Sequence, residues 1–213
     1  MLVAPVREML LVPGATYYFK MEQLQKTSGG SGVAVGQKII LIVAKEKEKY
    51  EELTEESFYP IGIAGTITEI NQQGYAAVRT QYRVNLDTIV VNRDHSIHLT
   101  ISRRREIEDL DSAVEKEKLK NLIQEIRAFA SGYDWKDMAE QYLSQVDSIS
   151  TAVAGLSPWI NTSNEECYAI LAEDSVAKCH SANYLEAFLS VYLETNSGSN
   201  SVMGILNYCC PAK

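Results

Sequence analysis

The chain has 213 residues, of which 46% are hydrophobic and 23% charged, a composition that can bury a sizeable core and excludes disorder throughout. No apolar run approaches the roughly 18 residues that a membrane helix needs, and Met1-Leu2-Val3-Ala4-Pro5 lacks the basic start and apolar body of a signal peptide, so the cytoplasm is the expected compartment. The net charge of −8 is uneven: residues 1–100 hold 10 basic and 11 acidic groups, residues 101–213 hold 10 and 17, and that balance disfavours duplex nucleic acid as a partner.

From the start of the chain, Val3-x-Pro5-x-Arg7-Glu8 leads into Met9-Leu10-Leu11-Val12-Pro13-Gly14 and then Ala15-Thr16-Tyr17-Tyr18-Phe19. Proline presets φ at one turn position and glycine takes positive φ at the next, so two strands are expected to meet at Pro13-Gly14. Residues alternate between faces along a strand, so at least one ring of Tyr17, Tyr18 and Phe19 should point outward and could line a sticky groove. The run from Thr27 to Lys38 is glycine-rich, but it does not fit a phosphate loop. Gln37 separates Gly36 from Lys38, Ile39 takes the hydroxyl position, and Ile39-Ile40-Leu41-Ile42-Val43-Ala44 continues as a buried strand rather than a helix. Lys45 to Glu56 is a two-signed charge run, read as a solvated connection.

The next stretch organises the first half. Phe58-Tyr59-Pro60-Ile61-Gly62-Ile63-Ala64-Gly65-Thr66-Ile67-Thr68-Glu69-Ile70, then Asn71-Gln72-Gln73-Gly74 and a second alternating run, predict a hairpin whose core face carries Ile61, Ile63 and Ile67. In the second arm Ala76, Val78, Thr80, Tyr82, Val84 and Leu86 are assigned to one buried face, and Tyr75, Ala77, Arg79, Gln81, Arg83 and Asn85 to a wet one. Thr88-Ile89-Val90-Val91 and Ser96 to Ile101 complete six or seven strands, with Ile61, Ile63, Val78, Val84 and Ile101 expected in one core. His95 and His98 fall on opposite faces, which opposes a metal reading.

Near Arg103 the period changes. Arg103-Arg104-Arg105 runs straight into Glu106, Glu108, Asp109 and Asp111, a solvated entry to a helix whose stripe is Ile107, Leu110, Val114, Leu122, Ile123, Ile126 and Phe129. A second stripe, from Trp135 to Val153, reads as one helix capped by Asp134 and stopped near Gly155 and Pro158. Thr162 or Ser163, with Glu165 and Glu166 behind, marks a third helix through Leu171, and Ser175 opens a fourth. Thr195 to Ser201 has linker composition. The cysteines, Cys167, Cys179, Cys209 and Cys210, form no C-x-x-C pair, and reduced thiols are expected. Cys179 and His180 are chain neighbours and cannot by themselves form a nucleophile–base pair.

Two patterns carry a family resemblance. Pro5-x-Arg7, five residues, then Pro13-Gly14, and an acidic stretch followed by Phe58 to Ile67 and a strand bearing Val78-x-x-x-x-Arg83, resemble the N-terminal domain of the ATP-dependent Lon proteases. Asp147-x-Ile149, Ala152-Val153-Ala154, Glu165-Glu166, Ile170-Leu171 and Leu185 follow the helical part of that region in order, so the likeness covers about residues 1–194. The chain departs from it in carrying Thr80 where family members have glycine, and a glycine run where they have a helix.

The resemblance implies an α+β chain, with an N-terminal antiparallel β pseudobarrel of LON/PUA-like type over 1–102, a C-terminal helical bundle over 103–194 and a tail over 195–213. It also implies a non-catalytic substrate-recognition and assembly domain, with unfolded polypeptides, Lon ATPase and protease modules in cis or trans, and a homo-oligomer as partners. Substrate contacts are assigned to Tyr17, Tyr18, Phe19, the glycine loop and Trp159; Pro5, Arg7, Pro13, Gly14, Gly62 and Arg83 are motif positions with structural roles. No cofactor, metal or catalytic residue is expected, since no G-x-S-x-G, H-E-x-x-H or phosphate loop is present. The alternative is a stand-alone PUA-like RNA-binding module, which the acidic balance and the lack of a basic-aromatic strip oppose.

Overall fold

The computed structural model describes residues 1–28, 32–45, 52–105, 112–132, 136–157 and 163–173. Six strands, β1 (Leu2–Val6), β2 (Thr16–Lys20), β3 (Lys38–Ala44), β4 (Phe58–Ile70), β5 (Tyr75–Val91) and β6 (Ile97–Arg103), form one sheet in the order β1-β3-β4-β5-β2, with β6 also paired to β5. The helices are α1 (Met21–Thr27), α2 (Ser112–Ala130), α3 (Lys136–Leu143), α4 (Ile149–Leu156) and α5 (Asn164–Ala172).

The β4–β5 hairpin forms as its alternation predicts, with a tight Asn71–Gly74 turn closed by Asn71 N–H donating to the Tyr75 carbonyl at 2.9 Å. The sheet is not wholly antiparallel, however. β1 runs parallel to β3 and β2 antiparallel to β5, so the segments flanking Pro13-Gly14 are not partners, and Met9–Val12 is a connection rather than a strand, buried from Leu10 onward. The local turn signal was real, since Gly14 has φ +84°; what it joins was decided by pairing at long range. Pro5 is tolerated because β1 is an edge strand, where a missing N–H costs no ladder bond.

The expected single core is two clusters on opposite faces. Ile61, Ile63 and Val78 share one with Leu41 and Tyr17, whereas Val84 and Ile101 belong to a second built around Val3, Ile40, Ile42 and Ile97. The cause is a bulge. Pairing passes from Ala64 with Tyr82 directly to Gly65 with Thr80, leaving Gln81 as the extra residue on β5, and one extra residue reverses the face of everything after it. Arg83 therefore lies opposite Ile63 on the core side and is fully buried, not wet. β3 lies between the clusters and is buried on both sides, as its unbroken apolar run predicts.

β5 continues through Val91 as one strand, shifted again between Leu86 and Thr88, so Thr88–Val91 is not a separate element. Ile97 is buried and His98 exposed on β6, as the alternation predicts.

In the second half, α5 falls where its signals put it and α2 occupies the described part of the first stripe, while residues 106–111, with Ile107 and Leu110, and the expected cap at Asp134 lie outside the described residues. The stripe from Trp135 to Val153 is divided into α3 and α4, because Ser148 starts a new helix: its Oγ accepts from Thr151 N–H at 3.1 Å, and the Thr151 hydroxyl donates to Asp147 at 2.8 Å. The capping box at Ser163 and Glu166 is formed, with bonds of 3.2 and 3.0 Å. Leu143 of α3, Ala152 of α4 and Cys167, Ile170 and Leu171 of α5 enter the same core cluster as the sheet residues. The helix expected from Ser175 and the tail lie outside the described residues.

Candidate functional site

Of the motif positions, Arg7, Gly14 and Arg83 lie along the seam between sheet and helices, whereas Pro5 and Gly62 sit within β1 and β4 on the other face of the sheet. At the Pro13-Gly14 turn, Gly14 N–H donates to the Thr80 carbonyl (3.1 Å) and Thr80 N–H to the Ala15 carbonyl (2.9 Å). The buried Thr80 hydroxyl contacts the Val12 and Ala15 carbonyls at 2.7 and 3.0 Å. Threonine at the position where the resemblance predicts glycine is thus accommodated by tying the turn to β5. The signal that identified the site was a departure from the motif; its role required the fold.

Tyr17 is buried between these parts. Its hydroxyl donates to the Leu10 carbonyl (2.6 Å), accepts from Val12 N–H (3.0 Å) and lies 3.2 Å from Ser157 Oγ beyond α4. Burial raises its pKa far above the usual phenol range. Phe19 faces the same core, while Tyr18 points outward and is 45% exposed. Of the three rings proposed for substrate contact, Tyr18 is the one at the surface. The glycine segment adds Val35, 59% exposed, next to Gly36, whose N–H donates to the Ile67 carbonyl at 2.7 Å. Gly29 to Ser31 and Trp159 lie outside the described residues. Lys38 opens a strand, and its Nζ donates to Thr66 Oγ1 (3.0 Å) and Gln81 Oε1 (3.3 Å).

Arg83 and Arg104 close the other end of the seam. Arg83 Nη1 donates to the carbonyls of Leu171 (2.8 Å) and Glu173 (2.6 Å), and Arg104 Nη2 to that of Ala172 (2.8 Å), so two guanidinium groups serve the carbonyls that α5 leaves open at its C-terminus. At the other end of α5, Asn164 Oδ1 accepts from Glu8 N–H at 2.6 Å, beside the half-buried Arg7. Tyr168 stacks on Tyr59 of β4 with ring centroids 4.1 Å apart and planes 6° from parallel. These partners of α5 had no local signal, because each joins residues far apart in the chain.

Gly62 is fixed by close approach: a Cβ there would stand 2.7 Å from the Leu41 carbonyl oxygen. Cys167 is wholly buried in the seam, and burial pushes its thiol up from 9.0 to about 12, which keeps it protonated and unreactive at neutral pH. Among the described residues no group of three His, Cys, Asp or Glu side chains is placed to hold a metal, and no helix is long and apolar enough to cross a membrane.

No known family profile and no curated protein matches the sequence. Solved structures do match. The N-terminal domain of the Mycobacterium avium complex Lon protease superposes with a TM-score of 0.55 at 13% identity, covering 89% of this chain and 96% of its own. A Lon N-terminal domain protein from Xanthomonas campestris covers 88% and 97% with a TM-score of 0.47 at 14% identity.

Proposed function

We propose that this chain, which has the fold of a Lon N-terminal domain, is a non-catalytic substrate-recognition and assembly domain that binds unfolded or damaged polypeptides for a Lon-type ATP-dependent serine protease. The observation that carries the reading is the structural likeness, which takes in nearly the whole of the Mycobacterium avium complex domain. The described residues are consistent with such a role. Buried hydrogen bonds hold sheet and helices together along the seam, and outside it Tyr18 and Val35 present apolar surface to solvent.

A degradation machine must distinguish unfolded chains from folded ones, and the general mark of an unfolded chain is exposed apolar and aromatic side chains. The protein carries the reading surface, and ATPase and protease modules, in cis or in trans, carry the chemistry in the cytoplasm. One copy should bind weakly, at about micromolar affinity or below, and a homo-oligomeric ring of copies would gain by avidity.

The test is photo-crosslinking of the whole chain to an unfolded, uncharged peptide, followed by mapping of the adducts. Saturable adducts near Tyr18 and Val35, competed by a second unfolded protein and not by its folded form, are expected. No saturable adduct with any unfolded peptide would overturn the reading.

A further inference from the structure

A basic-aromatic strip, absent from the linear sequence, is assembled by strand register. In an antiparallel pair, residues opposite one another project to the same face. Thr16 lies opposite Arg79, Arg79 opposite Thr66, and Thr66 opposite Lys38, so one row crosses four strands and spans about 14 Å at the usual strand spacing. The adjoining rows put Tyr18 with Ala77, and Lys20 with Tyr75, on that same face. Gln81, displaced by the bulge, joins it through its bond to Lys38. Farther along β5, Tyr82 lies under the Arg103 guanidinium, 4.9 Å from ring centre to Cζ.

Lys20, Lys38, Arg79 and Arg103 are all exposed, and among the described strand residues register brings one carboxylate, Glu69 opposite Ala77, to the same face. A locally cationic face with tyrosine rings thus stands on a chain of net charge −8. The opposite face of the same strands, carrying Ile63, Ile67 and Val78, is core.

We propose that this face is the part of the substrate-recognition surface that selects extended polypeptide segments in which acidic residues flank aromatic or apolar ones. The inference rests on the reading of the chain as a polypeptide-binding domain and names the substrate class of that surface. Carboxylates of the segment meet Arg79, Lys38 and Lys20, while its rings lie against Tyr18 and Tyr75. Charge complementarity fixes the choice of occupant: a short acidic segment samples only the local positive face, whereas a long polyanion would also meet the repulsion of the whole molecule. Such selection would add to apolar recognition a term that falls with salt.

Fluorescence anisotropy on the whole chain tests it, with unfolded peptides of about ten residues, roughly 33 Å when extended, built from Ser, Gly and Phe with Glu, Gln or Lys interspersed. The Glu peptide should bind about tenfold more tightly than the Gln peptide, a difference in the range of a few surface charge contacts, and the Lys peptide least. The preference should shrink as salt rises from 0.1 M to 1 M and the screening length falls from about 10 Å to about 3 Å. In the double variant Lys38→Glu/Arg79→Glu, at an unchanged urea midpoint, the affinity for the Glu peptide should drop to that of the Gln peptide or below. Equal binding of Glu and Gln peptides, or a Glu preference that survives the charge reversal, overturns the inference while leaving polypeptide recognition intact. Failure of every peptide to bind overturns both. Displacement of the Glu peptide by oligothymidylate at lower concentration than by unlabelled Glu peptide overturns it in favour of single-stranded nucleic acid.

Discussion

Arg83 concentrates the energetics of the seam in one side chain. It is wholly buried, and its Nη1 reaches two carbonyls at the C-terminal end of α5, where positive charge also complements the helix dipole. Removing the guanidinium leaves desolvated carbonyl oxygens with fewer donors, and the cost of such orphaned groups exceeds the value of the bond itself. Arg83→Met, which keeps the bulk and removes the donors, should therefore lower stability by about 2–4 kcal/mol in urea unfolding. Arg83→Lys, which keeps the charge and loses the planar fork, should fall between. A loss below about 0.5 kcal/mol for the methionine variant would mean that Arg104, already bonded to Ala172, serves this helix end alone.

At the level of elements, the β3–β4–β5 sheet depends on backbones that approach too closely for a side chain. Gly62 pairs with Ile42 on one side and Val84 on the other, and an added Cβ would meet the Leu41 carbonyl oxygen at 2.7 Å, with the Ile40 and Ile42 methyls at 3.3 Å. Carbonyl oxygen of a central strand cannot move without breaking its own ladder, so the clash is relieved only by displacing β3. Gly62→Ala should cost about 2–3 kcal/mol, toward the upper part of the range for single substitutions, read as a fall in the thermal midpoint. A variant as stable as the parent would show that β3 can shift. The helices are stitched differently. α5 starts at a formed Ser163–Glu166 box and ends at two arginines from the sheet, whereas α2 and α3 are joined by the exposed Arg127–Glu140 pair at 2.9 Å, a kind of contact worth under about 1 kcal/mol.

For the whole molecule, the seam imposes an alkaline limit on stability. Tyr17 and Cys167 are both buried there and both held protonated above their ordinary values, each first by desolvation. A group whose pKa is higher in the folded chain than in the unfolded one binds more protons when folded, so its contribution is whole below the unfolded pKa and is lost as pH rises through the folded one. For Cys167 that window runs from 9.0 to about 12, and Tyr17 acts in the same direction from 10.0 upward. Urea midpoints should accordingly decline as pH is raised from 9 toward 12. The Tyr17→Phe/Cys167→Ala double variant, though less stable at pH 7, should show a shallower alkaline decline; an unchanged slope would place the alkaline loss elsewhere.

Local chemistry was legible in the sequence. The β4–β5 hairpin, the buried β3, the positive φ at Gly14, the outward His98, the Ser163–Glu166 cap and the outward ring within Tyr17–Phe19 all follow from alternation, turn residues or capping, which act over a few residues. Tertiary pairing decided the rest. No local rule announces that β1 will run parallel to β3, and the bulge at Gln81 reverses the faces of β5 without marking the alternation, which is why Arg83 reads as wet and lies in the core. Ser148 gave a similar lesson, since a helical stripe persists across a break that a serine cap creates. The candidate surface divides in the same way: Tyr18 was visible as an aromatic in an alternating run, but its union with Lys20, Lys38, Arg79 and Tyr75 exists only because strands distant in sequence lie about 5 Å apart in register.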